Sequence, residues 1–477
     1  MSVEAVRPAG FTTRQVHSGE HVAPSHPRAV PVHLTAGFVF DSFEDASAHF
    51  GAGDGFGYTR TGNPSVRAVE DKLAALESGT DAILTASGQS ALTVTLLGLV
   101  PAGGHVISSA HLYEGTRGLL QQNLAQAGVT SSFVRDINDP DAWRRLIRPE
   151  TRVLLAESIS NAQNNVLDIA AISEVAAEHG IPLIIDNTLA TPYLLRPLEH
   201  GANLVIHSAS KFLSGHGSVL GGVIVDDGRF DATARPDHLS QLTEPGPTGG
   251  PSLWERFGGR ARIAYLREVV APRLGPTPSP LSAFLIGQGI ETLSLRVREQ
   301  SANAARVARW LEDRPEVLRV DHASLASHPD HGVAARYLTQ GYGSVFTVTL
   351  EGGLAAARAV VETVGVFTHM THLGDVRSLI LHPASTSHIQ RSAAEREALG
   401  VHPGTLRLSI GIEDVEDLLS DLDQALRVSR RGVDEVVELH ETVPPRNEGV
   451  VAPQIPSRAR PQVPPPAQAD AVAGERA

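Results

Sequence analysis

The sequence predicts an α/β protein built on a mostly parallel, buried sheet, followed by a smaller α+β portion. Two observations carry this: short apolar runs alternate with helical stretches, and after a long break in that rhythm a smaller set of helices and strands follows. The runs are Ala82-Ile83-Leu84, His105-Val106-Ile107, Ser132-Phe133-Val134, Val153-Leu154-Leu155-Ala156, Pro182-Leu183-Ile184-Ile185 and Leu204-Val205-Ile206.

Residues 1–60 are rich in His, Gly and Pro and lack periodicity, so they read as an extended arm. From Val66 the pattern turns helical, with Val66, Val69, Leu73 and Leu76 on one face. A helix follows from Ala91 to Leu99, and another from Ile169 to His179 ends at Gly180. Between Asp226 and Pro280 the rhythm is lost, as in Leu242-Thr243-Glu244-Pro245-Gly246-Pro247, which marks a functional loop or an insertion. Ser282 to Leu311 reads as one long helix, and Ser344–Leu350 and Thr405–Ile410 as strands of the smaller portion. Asp414 to Val428 is the last amphipathic helix; beyond about Glu441, Pro444, Pro445, Pro453, Pro456, Pro461 and Pro464 to Pro466 predict a disordered tail. The expected division is an arm at 1–60, a large domain at 61–275 with an insertion at 226–275, a small domain at 276–435, and a tail at 436–477.

Composition narrows the function. Forty basic against 53 acidic residues give a net charge of −13, which argues against nucleic acid or an anionic membrane as partner. The absence of cysteine removes disulfides, thiolate metal sites and cysteine nucleophiles. Although there are 21 histidines, no H-E-x-x-H occurs, and the His17/His21 spacing falls in the arm, so no metal site is expected. His207 and His216 read as structural. The first residues form no apolar leader and no 18-residue apolar run occurs, so the cytoplasm is the expected location.

Open α/β sheets bind ligands beyond the carboxyl ends of their strands. After Ile83-Leu84 come Ser87-Gly88-Gln89-Ser90 and a helix, whose first N–H groups suit an anion. After Leu183-Ile184-Ile185 comes Asp186, and after the next run come Ser208, Ser210 and Lys211. Each residue alone has a plain explanation as a cap, a turn or a surface lysine. Together they form the three parts that pyridoxal phosphate needs: a Schiff-base lysine, an acid for the ring nitrogen, and donors for the phosphate.

The chain resembles the Cys/Met-metabolism (trans-sulfuration) family of pyridoxal-phosphate enzymes over roughly residues 10–430. The motifs that carry the resemblance are Tyr58-Thr59-Arg60-Thr61-Gly62-Asn63-Pro64, Ser87-Gly88-Gln89-Ser90-Ala91, Asp186-Asn187-Thr188 and His207-Ser208-Ala209-Ser210-Lys211. Others are Leu373-Gly374-Asp375 with Ser378, His382-Pro383-Ala384-Ser385, and Leu406-Arg407-Leu408-Ser409-Ile410-Gly411. The resemblance implies the aspartate-aminotransferase-like (type I) fold, with pyridoxal 5'-phosphate held on Lys211. Asp186 would then hold the ring nitrogen, Gly88, Gln89, Ser208 and Ser210 the phosphate, and Asn161 the ring hydroxyl. Tyr113 would stack on the ring and act in catalysis. Tyr58 and Arg60 would reach a neighbouring subunit's phosphate, which implies a homodimer with shared sites, paired into a homotetramer. Arg407, with Ser378, would clamp the substrate carboxylate, and Tyr58 and Tyr113 would border the substrate.

Three features favour γ-replacement of the O-acetylhomoserine sulfhydrylase kind. They are the 226–280 segment, Gly115 where methionine γ-lyases use cysteine, and Leu373-Gly374-Asp375-Val376-Arg377-Ser378. The expected reaction joins O-acetyl-L-homoserine to sulfide or a small thiol, releasing acetate. Lys211 would move the protons, with burial and the cationic ring lowering its pKa. Cystathionine γ-synthase, methionine or cystathionine γ-lyase, and a specialised biosynthetic γ-substitution are the alternatives. A non-catalytic scaffold of the same fold is opposed by intact Lys211, Asp186 and Arg407. Two departures bear on substrate choice: Ser160-Asn161-Ala162 where the family often has Gly-Asn-Pro, and Glu114 for a frequent glycine.

Overall fold

The computed structural model describes residues 9–19, 27–52, 55–161, 163–246 and 249–430. The Pro-rich tail lies outside the described residues.

The first sheet has seven strands: β1 (Asp81–Thr85), β2 (His105–Ser109), β3 (Thr130–Val134), β4 (Thr151–Glu157), β5 (Leu183–Asp186), β6 (Leu204–Ser208) and β7 (Gly222–Asp226). Their order is β1-β7-β6-β5-β4-β2-β3. Strands β2 to β6 pair parallel, while β7 runs antiparallel to both β1 and β6. The continuous apolar runs now have their reason. Ile107, Leu154, Ile185 and Val205 enter the core on one face; Val106, Leu155, Ile184 and Ile206 enter a second core on the other. Burying such a side chain stabilises the fold by roughly 1.5–3 kcal/mol, so neither face of the sheet is left polar.

The second sheet has five strands: β8 (Val317–Asp321), β9 (Val345–Leu350), β10 (Thr368–His369), β11 (Leu379–Leu381) and β12 (Thr405–Ser409), in the order β10-β11-β12-β9-β8. A third core joins it to the helices Leu293–Glu312, Gly353–Thr363 and Val415–Ser429. Among the described residues, no helix is long and apolar enough to cross a membrane.

Three expectations need correction. The arm is not simply extended, because Phe11–His17 and Phe43–Ala52 are helical. The first is docked through Gln15, whose amide donates to Glu291 O (2.7 Å) and accepts from Ser294 N (2.9 Å). The long helix is two, Pro280–Glu291 and Leu293–Glu312, broken at Thr292 (φ −113°, ψ 8°). The break lets Arg296 turn back to Gly289 O and Phe212 O, tying both helices to the segment after Lys211. The 226–280 segment is mostly short helices, and Leu239, Leu242, Ala261, Ile263 and Leu266 from it are buried in the second core.

Candidate active site

Because β4, β5 and β6 are parallel, their carboxyl ends lie at one edge, and Glu157 is in register with Asp186. Glu157 is buried and Asp186 partly so, and among the described residues neither forms an ion pair. Burial first, then the nearby Asp186, lifts the Glu157 pKa to about 8. Burial likewise raises Asp186, against hydrogen bonds from Thr188 N (3.0 Å) and Thr188 Oγ1 (2.5 Å). Glu157 accepts from Tyr113 N (2.6 Å) and Asn161 N (2.9 Å), so it anchors two segments around Asp186. Sequence reasoning missed it. Its signal was positional: it ends β4 as Asp186 ends β5.

The helix Gly88–Leu99 starts beside these strand ends, capped by a reciprocal Ser87/Ser90 box. Its first N–H groups have no acceptor within the helix. At Gly88 a β-carbon would lie 2.8 Å from Ser208 Cβ, and at Gly222 one would lie 2.0 Å from Ser87 O. Backbone therefore meets backbone here without side chains between. Ser208 N donates to Thr188 Oγ1 (2.8 Å), and Ser210 Oγ accepts from Gly221 N (3.0 Å). The Gln89 side chain donates to Gly115 O (2.8 Å).

Lys211 follows β6 in a turn, with its Nζ 3.1 Å from His372 Nδ1. Burial, and then the charge of Arg407, lowers its pKa to about 8. Arg407 projects from the middle of β12, and burial lowers its own pKa to about 10. Its guanidinium donates to Thr371 O (3.1 Å), His372 O (3.0 Å) and Asn161 Oδ1 (3.4 Å). Among the described residues, no carboxylate pairs with it. A buried cation whose partners are carbonyl oxygens alone has the charge and the donors that suit a carboxylate.

Tyr113 is half exposed, and a β-carbon at Gly115 would lie 2.4 Å from its ring. A cysteine there would displace the tyrosine. Glu114, expected at the substrate mouth, is held by Arg391 (2.8 Å) with His388 at 3.6 Å. Its charge is therefore compensated.

Other predicted residues are not brought to Lys211 in this chain. Tyr58 is 48% exposed, and Arg60 packs over its ring at 5.6 Å while donating to Pro272 O (2.7 Å). Ser378 is buried; its hydroxyl donates to Glu413 (2.8 Å) and accepts from Gly411 N (2.9 Å), and no bond joins it to Arg407. In this structure Glu413 also accepts from Ser378 N (2.6 Å), so Ser378 is engaged by Glu413 and Gly411. His207 is bound to buried Glu77 (2.6 Å) and His216 to Ser214 O (2.6 Å).

The residues present fit pyridoxal phosphate. Glu157 and Asp186, which pair with no cation among the described residues, suit a ring nitrogen that carries a proton, the helix start at Gly88 suits a phosphate, and Lys211 is easily neutralised. Fold and site together define a pyridoxal-phosphate-dependent enzyme.

The model of the family described as Cys/Met metabolism PLP-dependent enzyme matches residues 12–427, and the chain belongs to that family. It is 39% identical over 428 residues to the O-acetyl-L-homoserine sulfhydrylase of Leptospira meyeri, covering 87% of this chain and 96% of that one. It is 38% identical over 423 residues to the homocysteine synthase of Schizosaccharomyces pombe, covering 88% of this chain and 98% of that one. A solved structure from Campylobacter jejuni, named as an O-acetylhomoserine (thiol)-lyase, superposes with a TM-score of 0.83 at 32% identity. The match covers 88% of this chain and 100% of that one, and that structure carries N'-pyridoxyl-lysine-5'-monophosphate.

Proposed function

We propose that this enzyme replaces the acetate of O-acetyl-L-homoserine with sulfide or a small thiol, forming homocysteine or methionine. The observation that carries the reading is Arg407, a buried cation with no carboxylate partner among the described residues, held beside a lysine whose pKa is brought down to about 8. The names of the relatives supply the substrate class.

When bound, pyridoxal phosphate supplies a sink for the electrons left on the substrate's α-carbon. Lys211 would anchor it, Asp186 supported by Glu157 would keep its ring nitrogen protonated, and Tyr113 would lie on the ring. Gly88, Gln89, Ser208 and Ser210 would take the phosphate, and Asn161 would face the ring hydroxyl. Arg407 would hold the substrate carboxylate and turn the α-hydrogen toward Lys211. Lys211 Nζ would take that proton and then move one from the β-carbon, so that acetate leaves the γ-carbon and sulfide bonds there. The protons return in reverse order. A pKa of about 8 keeps part of Lys211 neutral near physiological pH.

The exposure of Tyr58, Val39 and Phe43 supports an arm that packs on a second copy, with Tyr58 and Arg60 completing that copy's phosphate site. We read the enzyme as a cytoplasmic homotetramer made of two such dimers. Arg60→Ala should weaken cofactor retention in dialysis, though Arg60 is bound to Pro272 in its own chain. Incubation with O-acetylhomoserine and sulfide should give homocysteine and acetate. If 2-oxobutanoate and ammonia form in place of homocysteine, the enzyme is a lyase.

A further inference from the structure

His372 lies between β10 and β11 and touches both charged groups of the site. Its Nδ1 is 3.1 Å from Lys211 Nζ, and its carbonyl oxygen accepts from Arg407 Nη2 at 3.0 Å. The segment that carries it is held from several sides. Gly374, at φ +72°, sits so close to Phe212 that a β-carbon would lie 2.8 Å from Phe212 N. Gly374 N donates to Ser409 Oγ (3.0 Å), Gln300 to Asp375 O (2.7 Å), and Val376 N to Gly215 O (3.0 Å). The ring is thus fixed against the lysine.

The charged groups acting on the ring are Lys211, Asp375, Arg407 and Arg377, and Asp375 is already tied to Arg377 at 2.9 Å. Burial, then the charge of Lys211, lowers the ring's pKa to about 4, so the imidazole is neutral in the working range. A neutral ring that faces an amine through Nδ1 accepts there and carries its hydrogen on Nε2, which is buried with no partner among the described residues.

We propose that His372 is the positioning residue for Lys211: it takes one N–H of the free amine and so directs the nitrogen's lone pair toward the substrate's α-carbon. This rests on the proposed reaction, in which Lys211 is free while it moves protons. An acceptor also favours the charged amine, so His372 opposes the lowering caused by burial and Arg407.

The test is competitive labelling of Lys211 with acetic anhydride across pH, read on its own peptide, in the full-length protein stripped of cofactor. His372→Leu should lower the Lys211 pKa by about one unit, and His372→Asn, whose carbonyl accepts, should restore most of that shift. His372→Ala gives the same readout if the leucine variant does not fold. In the holoenzyme His372→Leu should reduce kcat by about 10-fold with KM changed less than about 3-fold. An unchanged Lys211 pKa in the leucine or alanine variant overturns the proposal, and so does an equal shift in the asparagine variant, which marks a packing role. Because the labelling uses no substrate, failure to form homocysteine leaves its result standing.

Discussion

The two ends of the large sheet both bury charge, and they treat it in opposite ways. At the end where β7 finishes, Arg262 donates to Asp226 (2.7 Å) and Asp227 (2.9 Å), and all three side chains are buried. Cation and anion are in contact, and nothing further is needed. At the end where β7 begins, among the described residues Glu157 and Asp186 pair with no cation and Arg407 with no carboxylate, although Glu157 and Arg407 are buried and Asp186 is partly so. Burial of charge marks neither structure nor function; whether the protein supplies the counter-charge separates the two.

The comparison breaks most readily at Arg262. Arg262→Ala leaves two buried carboxylates without their cation and should destabilise the fold by about 3–5 kcal/mol in chemical denaturation. The folded fraction should keep its activity. Arg407→Ala should do the converse, lowering kcat/KM for the amino-acid substrate by roughly 10²-fold while leaving the denaturation midpoint near the parent's. Equal destabilisation by both variants would erase the distinction. The smallest effect sharpens it at Glu157. Its folded pKa of about 8 exceeds the ordinary 4.5, so between those values the folded state holds a proton that the unfolded chain releases. Stability of the cofactor-free protein should therefore fall as pH rises through that window, and Glu157→Gln should flatten the fall in thermal melts.

The sequence shows the central strands β4, β5 and β6 through runs that are apolar because both faces of the sheet are covered, whereas the edge strand β3 shows only Phe133 and Val134. It also showed Lys211 and Asp186, because each stands just past such a run. Strand β7 carries the same kind of run, Val223-Ile224-Val225, but glycines precede it and the loss of helical rhythm follows, so it was not read as a strand. β8 exposes Leu318 and Arg319, and β10 spans two residues, too short for a pattern. The break at Thr292 is hidden because the bond it permits, from Arg296 to Phe212 O, joins residues 84 apart in the chain. His372 was hidden for the same reason: nothing local distinguishes it, and its partner Lys211 is 161 residues away. Local chemistry was legible, whereas pairings across the two sheets were not.

Gly222 opens β7 in register with both Thr85 of β1 and Ser208 of β6. It therefore stands between the strand that leads to Ser87 and Gly88 and the strand that leads to Lys211. A methyl group there would collide with Ser87 O and wedge the two apart. A residue with no side chain and no reactive atom thus acts as the spacer that sets the gap between Lys211 and the helix start at Gly88. The site's geometry depends on an atom that is missing as much as on those that react.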